Sequence, residues 1–286
     1  EEMDGRRHIL HFDGAMSEAQ VFVNGEKVCF WPYGYNSFWC DVTAQIKEGS
    51  NDIAVLLENR EQSSRWYPGA GLYRKVRHIT LPQVHVPVWG TYVTTPHIEK
   101  DYAVVSVRTK IEGVEKGSAV TLKTRILDAG GHAVACVTDT RLLHFGEIEQ
   151  TLTVENPALW SPESPVMYFV ETEVYAGGSV DTDWNMDRPE ISIADGTVPC
   201  DKVSTRFGFR TIEIIPDKGF FLNGEPRKFR GVCLHHDLGP LGAAINKAAV
   251  RRQLTMLKDM GCDAIRTSHN MPAEELIELC DEMGFM

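Results

Sequence analysis

The chain has 286 residues, of which 43% are hydrophobic and 24% charged, and its 29 basic against 40 acidic side chains give a net charge of −11. This composition predicts a globular protein with a sizeable core, and the length predicts two or three domains. The acidic balance argues against a nucleic-acid partner or an anionic membrane surface. No apolar run approaches the roughly 18 residues of a membrane helix.

The first part of the chain, residues 8–86, has the alternating pattern of β-strands. The pair Asn24-Gly25 separates two apolar runs, 21–23 and 27–30. Both residues tolerate the positive φ of a type I′ turn, so this segment predicts a β-hairpin. Further strands are predicted at 9–12, 38–42 and 52–57, and the region as a whole is interpreted as part of a β-sandwich.

A second β region extends from about residue 88 to 211. Its short alternating strands are predicted at 102–107, 120–126, 149–154 and 167–174. Several such strands in about 120 residues are typical of an immunoglobulin-like β-sandwich. The polar stretch 177–199 is predicted to be a long loop.

After residue 211 the pattern changes from strands alone to strands alternating with helices. A second Asn-Gly pair predicts another hairpin, and apolar strands at 229–234 and 262–268 are each followed by an amphipathic helix. The first helix is expected to begin after Asn246 and end before Gly261, and the second to begin near Pro272 and end at Gly284. This order predicts parallel strands joined by crossover helices, with residues 285–286 beginning a third strand.

The seven cysteines are odd in number and include no Cys-x-x-Cys pair. Neither a disulfide framework nor a zinc knuckle is therefore indicated, and we expect buried free thiols.

Polar side chains follow both strands of the β-α region. His235-His236-Asp237 follow the first strand, and Arg266 to Asn270 lie at the end of the second. In a parallel barrel the functional groups lie at these carboxyl ends. Two structural alternatives stay open: a histidine there often bonds only loop backbone, and Asn270 could cap the second helix.

A metal site is a further alternative, because imidazole and carboxylate groups bind zinc. Adjacent histidines on a strand point to opposite faces, so only one of His235 and His236 would face a common site with Asp237 and His269. We therefore predict neither a metal nor a cofactor.

Several segments resemble glycoside hydrolase family 2, in the order in which that family has them. They are residues 65–74, 157–165, 204–212, 219–224, 230–237, 264–270 and 279–284. The pattern is most similar to the β-galactosidase branch of Bacteroides-type bacteria, although β-glucuronidases and β-mannosidases share much of it.

The resemblance implies a multidomain fold. Residues 1–83 would form part of an all-β jelly-roll sugar-binding domain, 84–211 an immunoglobulin-like β-sandwich, and 212–286 the start of a (β/α)8 TIM barrel. A complete barrel takes about 250 residues. The resemblance thus implies that further jelly-roll strands and most of the barrel lie outside this chain.

The resemblance also implies retaining hydrolysis by two glutamates, one acting as general acid and base and one as nucleophile, about 5 to 5.5 Å apart. In the family both lie on later barrel strands, the first in an Asn-Glu pair after the fourth strand. We expect this chain to lack them and to be inactive alone. The acidic pair Asp281-Glu282 lies on a predicted helix and is not that pair.

By the same resemblance, Arg266 would keep the nucleophile ionised, and His235 and His269 would bind sugar hydroxyls. Asn270 and Asp237 are further substrate-binding candidates. The segment Arg65-Trp66-Tyr67 would either stack on a sugar or pack the jelly roll against the barrel, and Trp160 is expected to be structural.

The expected partner is a carbohydrate, a β-galactoside or a related glycoside. Family members often form homo-oligomers and are often periplasmic or secreted, which the resemblance extends to this protein. Two rival interpretations remain: a non-catalytic carbohydrate-binding or scaffold protein built from the β-sandwiches, and a metal hydrolase using His235 and His269.

Overall fold

The computed structural model describes residues 5–62, 70–143, 146–176, 193 and 197–286. The predicted segment Arg65-Trp66-Tyr67 and most of the predicted loop 177–199 lie outside these residues. The chain divides into two compact units, which we call unit 1 (Glu1–Leu81 with Lys228–Met286) and unit 2 (Pro82–Arg227).

The described elements are mostly strands, with two α-helices near the end of the chain. The strands are β1 Arg7–Phe12, β2 Ala19–Val23, β3 Glu26–Trp31, β4 Phe38–Asp41, β5 Ile53–Leu56, β6 Val76–Leu81, β7 Thr91–Ile98, β8 Tyr102–Lys110, β9 Ala119–Leu127, β10 Ala133–Leu142, β11 Glu147–Glu155, β12 Tyr168–Ala176, β13 Asp201–Phe207, β14 Ile212–Ile215, β15 Gly219–Leu222, β16 Glu225–Pro226, β17 Gly231–Leu234 and β18 Ala264–Thr267. The helices are α1 Lys247–Asp259 and α2 Glu274–Met283. Neither helix is long and apolar enough to cross a membrane.

Unit 1 begins with two three-stranded antiparallel sheets, in the orders β4-β1-β6 and β3-β2-β5. Their inner faces share one core, in which Leu10 and Phe12 of β1 pack with Val21 and Val23 of β2. The predicted hairpin is confirmed: Val23 pairs with Glu26, and the two turn residues between them have positive φ. The strands predicted at 9–12, 38–42 and 52–57 are confirmed as β1, β4 and β5.

Unit 1 continues with the parallel pair β17-β18 and both helices, as the pattern predicted. The side chain of Asn246 accepts a hydrogen bond from Ala249 N at 3.0 Å and caps α1. Beyond the other end of α1, Gly261 has φ +85°, a left-handed conformation that favours glycine. The helices bury a shared apolar core over the sheet, formed by Val250, Leu254, Leu276, Leu279 and Phe285.

The segment after α2 returns to the edge of β18. Ile265 N donates to Met286 O at 2.9 Å, and Met286 N donates to Asp263 O at 2.8 Å. Residues 285–286 do not form a strand in the structure. These two bonds nevertheless place Met286 beside β18, where the predicted third strand would begin.

Unit 2 contains a four-stranded sheet, β10-β9-β12-β13, and a three-stranded sheet, β11-β8-β7. The two sheets pack face to face through apolar residues of β8, β9, β11 and β12, with Phe209 in the same core. All four strands predicted here are confirmed, as β8, β9, β11 and β12. The hairpin predicted at Asn223-Gly224 is also confirmed, since Leu222 pairs with Glu225.

The expectation of buried free thiols was wrong. Cys29 on β3 and Cys40 on β4 form a disulfide with Cα atoms 6.2 Å apart, and it links the two sheets of unit 1. Cys136 and Cys233 are exposed. Spacing could not reveal this pair, because disulfide connectivity depends on which strands the fold brings together.

Candidate active site

The two strand ends that carry the predicted site residues lie side by side. In the parallel register Cys233 is opposite Arg266, and Leu234 is opposite Thr267. Close approach of the strands requires glycine at position 231, where an added Cβ would lie 2.5 Å from Ala264 O. The residues that follow each strand therefore emerge at one edge of the sheet.

His235 and His269 meet at this edge. Their ring centroids are 5.6 Å apart and the rings are nearly perpendicular, with an interplanar angle of 88°. Both histidines are exposed. The two histidines that the resemblance assigned to sugar binding thus lie together at one exposed edge of the sheet.

Arg266 is held by hydrogen bonds to its neighbours at this edge. Nη1 donates to Ser268 Oγ at 2.7 Å, and Nη2 lies 2.8 Å from His269 Nδ1. A guanidinium can only donate, so His269 Nδ1 must accept and the neutral ring carries its proton on Nε2. Arg266 therefore sets the tautomer of His269 and makes Nε2–H a donor.

Beneath this group, Cys233 points toward the same side of the sheet as Arg266. Hydrogen bonds with Ser268 and with Arg266 hold the pKa of the Cys233 thiol below its usual value. The Arg266 guanidinium thus contacts three polar groups, one on β17 and two in the segment after β18, which fixes its position at the carboxyl edge.

Asn270 does not cap α2. The N-cap residue of that helix is Ala273, which makes no side-chain cap bond, so the capping alternative was wrong. Instead Asn270 Oδ1 accepts a hydrogen bond from the hydroxyl of Tyr33, which lies between β3 and β4. Sequence reasoning missed Tyr33, because its partner is 237 residues away.

His236 and Asp237 have contacts of their own, with Tyr35 and with the loop backbone. The His236 ring lies 4.9 Å from the ring of Tyr35, and Asp237 Oδ1 accepts from Gly239 N at 2.8 Å. His235 and His236 thus have different ring partners, and both follow β17, which ends at Leu234. Asp237 makes a local loop bond, and its part in substrate binding stays a prediction.

Within the described part of the chain, no group of three or more His, Cys, Asp or Glu side chains is arranged to hold a metal ion.

In unit 2, Trp160 is 3% exposed, and its ring lies 5.1 Å from the Arg210 guanidinium carbon. Trp160 is therefore buried in the second sandwich, as expected of a structural residue.

The loop after Asn270 is fastened to the β-sandwich of unit 1 by Arg74. Its Nη2 donates to Met271 O at 2.8 Å, and Nη1 lies within hydrogen-bonding distance of three more carbonyls: Tyr35 O at 2.8 Å, Asp13 O at 3.2 Å and Pro272 O at 3.4 Å. Arg74 is 6% exposed. One buried guanidinium thus joins two sandwich loops to the strand-end loop.

Ion pairs fasten the start of α2 to the same sandwich. Arg77 bridges Asp13 Oδ1 at 2.5 Å and Glu274 Oε2 at 2.9 Å, and Lys75 Nζ lies 2.8 Å from Glu275 Oε1. Burial raises the pKa of Asp13, but hydrogen bonds from His11 and Arg77 outweigh it and the pKa is lowered. Asp13 is therefore ionised at neutral pH.

Two family models match the chain. Residues 84–186 match glycosyl hydrolases family 2, and residues 213–286 match the TIM barrel domain of that family.

Curated relatives match across nearly all of the chain. A β-galactosidase of Bacteroides ovatus is 39% identical over 99% of this chain and 32% of its own length. A putative β-glucuronidase of Formosa agariphila is 37% identical over 97% of this chain and 25% of its own length. The chain thus spans about a third or less of these two relatives.

Solved structures give the same result. A glycosyl hydrolase family 2 member from Bacteroides cellulosilyticus superposes with a TM-score of 0.88 at 33% identity, over 99% of this chain and 35% of that one. A Bacteroides uniformis β-glucuronidase gives a TM-score of 0.83 at 26% identity, over 99% of this chain and 34% of that one. The two matching family models and the alignments over nearly all of this chain lead to one conclusion: the chain belongs to glycoside hydrolase family 2.

Proposed function

We propose that the protein carrying this chain is a retaining glycoside hydrolase of the β-galactosidase type, which hydrolyses terminal β-glycosidic bonds. The observation that carries the proposal is the group of Arg266, His269 and His235 at the carboxyl edge of two parallel strands, in a chain of this family. The substrate class follows from the β-galactosidase that is 39% identical to it.

In this proposal the two sheets of unit 1 are part of a jelly-roll sugar-binding domain, and unit 2 is the immunoglobulin-like domain. Residues from β17 onward begin the (β/α)8 catalytic barrel. The seven strands of the two packed sheets in unit 2 and the barrel-domain match at 213–286 support these assignments. The boundaries 1–83, 84–211 and 212–286 remain predictions.

The two catalytic carboxylates come from later barrel strands in this mechanism. Arg266 orients toward the nucleophile, because Ser268 and His269 use only part of its donor set and its side chain is exposed. A charge-assisted hydrogen bond from a guanidinium favours the ionised carboxylate. The nucleophile is thereby kept ready to attack the anomeric carbon.

The histidines act on the sugar itself. His269 donates Nε2–H to a sugar hydroxyl, since Arg266 holds its Nδ1 as the acceptor. His235, with its ring edge-on to His269, contacts a neighbouring hydroxyl. Such bonds accelerate the reaction to the extent that they strengthen as positive charge develops on the sugar ring in the transition state.

Reading the gene beyond the codon for Met286 tests the proposal. We expect six further β-α units, an Asn-Glu pair at the end of the fourth barrel strand and a second glutamate near the seventh. An immediate stop codon would overturn it and leave a sugar-binding or structural role.

Assays of the whole protein then test the sugar. Aryl β-galactoside should be turned over faster than aryl β-glucuronide, and His269→Ala should lower kcat/KM for the galactoside at least tenfold, as expected for one charge-assisted or strengthened bond. Arg141→Ala, in unit 2, serves as the control. Faster turnover of the glucuronide would replace the galactosidase assignment.

The chain of 286 residues alone is expected to be inactive on both substrates. Turnover by the purified chain that a substitution within it abolishes would show that the carboxylates lie inside it, which contradicts the proposed division of the site.

A further inference from the structure

The β-sandwich of unit 1 reaches the strand-end site through the segment between β3 and β4. Tyr33 donates its hydroxyl proton to Asn270 Oδ1, and two residues later the ring of Tyr35 contacts His236. The Tyr33 and Tyr35 rings are themselves 5.8 Å apart. This segment therefore contacts the residues that follow both parallel strands.

The Tyr33 bond determines which way the Asn270 carboxamide faces. Because the phenol donates to Oδ1, the amide nitrogen is directed to the opposite side. Asn270 Nδ2 is buried and has no hydrogen-bond partner among the described residues. An amide nitrogen has two N–H donors, and a buried donor without an acceptor is costly. A ligand hydroxyl oxygen would supply the missing acceptor.

The loop that carries Asn270 is fixed from the other side as well. Arg74 donates to Met271 O at 2.8 Å, one residue after Asn270, and to Tyr35 O at 2.8 Å in the sandwich segment. The hydroxyl of Tyr73 also donates to Gly34 O at 2.8 Å, beside Tyr33. Arg74 therefore holds the segments of both partners of the Tyr33–Asn270 bond, and Tyr73 holds the Tyr33 segment a second time.

We propose that Tyr33 is a positioning residue of the glycoside site: its hydroxyl holds the Asn270 carboxamide so that Nδ2–H donates to one hydroxyl of the pyranoside. The inference rests on the proposed function and deepens it. The β-sandwich of unit 1 thus contributes to substrate selection through a side chain that the barrel strands do not carry.

Kinetics of the whole protein test the role. Tyr33→Phe removes only the hydroxyl, and we expect kcat/KM for an aryl β-galactoside to fall about tenfold, the usual worth of one hydrogen bond. Tyr92→Phe, an exposed tyrosine of unit 2, is the matched control and should retain the parent value.

A series of aryl β-galactosides, each with one ring hydroxyl replaced by hydrogen, distinguishes positioning from general damage. Tyr33→Phe should cost little on the analogue that lacks the hydroxyl bound by Asn270 and about tenfold on the others. An equal loss on every analogue would mean that Tyr33 is only structural, and no loss on any would overturn the proposal.

A measurement on this chain separates the contact from catalysis. In nitrogen-labelled protein, the side-chain amide signals of Asn270 should move in Tyr33→Phe and stay in place in Tyr92→Phe. Unmoved signals in Tyr33→Phe would overturn the proposal whatever the activity. An inactive whole protein with moved signals would overturn the glycosidase assignment, and with it the substrate role of Tyr33.

Discussion

The two units bury polar groups of different kinds. Unit 1 buries the charged side chains Asp13, Arg74 and Glu275, where its β-sandwich meets the loop before α2. Unit 2 buries neutral ones: Thr124 Oγ donates to Gln150 Oε1 at 2.6 Å and lies 3.1 Å from Thr172 Oγ. Both networks lie between elements distant in sequence.

The difference indicates what each network does. A neutral bond between two sheets aligns a core that apolar side chains already hold together, and an apolar pair of the same shape can replace it. A buried charge tolerates the loss of a partner poorly, but its long, directional side chain can hold several backbone carbonyls at once. In unit 1 the buried charges occur where the sandwich holds the loop after Asn270.

The largest effect is expected from Arg74→Met, which keeps the bulk but removes the guanidinium that bonds four carbonyls. The unfolding free energy of unit 1 should fall by about 3 to 5 kcal/mol. Urea titration with hydrogen exchange of peptides from each unit measures it. Arg141→Met on the surface of unit 2 should change little, and an equal loss there would remove the distinction between the units.

The next largest effect concerns the disulfide that links the sheets of unit 1. Replacing both Cys29 and Cys40 by Ala should destabilise unit 1 by about 3 kcal/mol, the entropy of closing a short loop. Cys136→Ala, at an exposed free thiol, is the control. The unfolded, unreduced chain should titrate five thiols and the reduced chain all seven; seven without reductant would show that the bond is absent.

A smaller effect is expected in unit 2. Thr124→Val leaves the buried Gln150 carbonyl without its donor and should cost about 1 to 3 kcal/mol. Adding Gln150→Leu removes the acceptor that lost its donor and should recover part of that loss; the rest belongs to the contacts with Thr172, Leu122 O and Asp139 that the two polar side chains made. A double variant that is less stable than the single one would show that unit 2, like unit 1, depends on its polar network.

The smallest effect is a change in acid sensitivity. Asp13 has a lowered pKa, so its ionised form stabilises unit 1 above about pH 4 and that contribution is lost as pH falls further. Asp13→Asn should therefore flatten the decline in the stability of unit 1 below pH 4. Asp101→Asn should leave that slope unchanged, and an unchanged slope in Asp13→Asn would contradict the role of this carboxylate.

Local signals in the sequence predicted much of the fold. Asn24-Gly25 and Asn223-Gly224 specify their turns by positive φ, and Asn246 and Gly261 bound α1 by capping. Such residues act through neighbours a few positions away, which a single sequence displays. The strand-end positions of His235 and Arg266 followed from the β-α order in the same way.

Other features depend on distant partners and were not predictable. β7 lies at a sheet edge and contains Pro96 at an irregularity in its pairing, so its strand pattern is interrupted. To predict the Cys29–Cys40 disulfide, one must know which two sheets pack together. The contact of Tyr33 with Asn270 and the bonds of Arg74 join an early part of the chain to a late part. No local spacing of residues in the sequence predicts such contacts.

The bonds of Arg74 have a consequence for how such proteins can be recombined. A chimera that joins the sandwich of one relative to the barrel of another must reproduce the positions of the Met271 and Pro272 carbonyls around a buried cation of the sandwich. Exchange of the barrel segment alone is therefore expected to yield poorly folded hybrids unless the loop after β18 is kept together with the sandwich. Residues 70–81 and 268–275 are therefore expected to be exchangeable only as one piece, although more than half of the chain separates them.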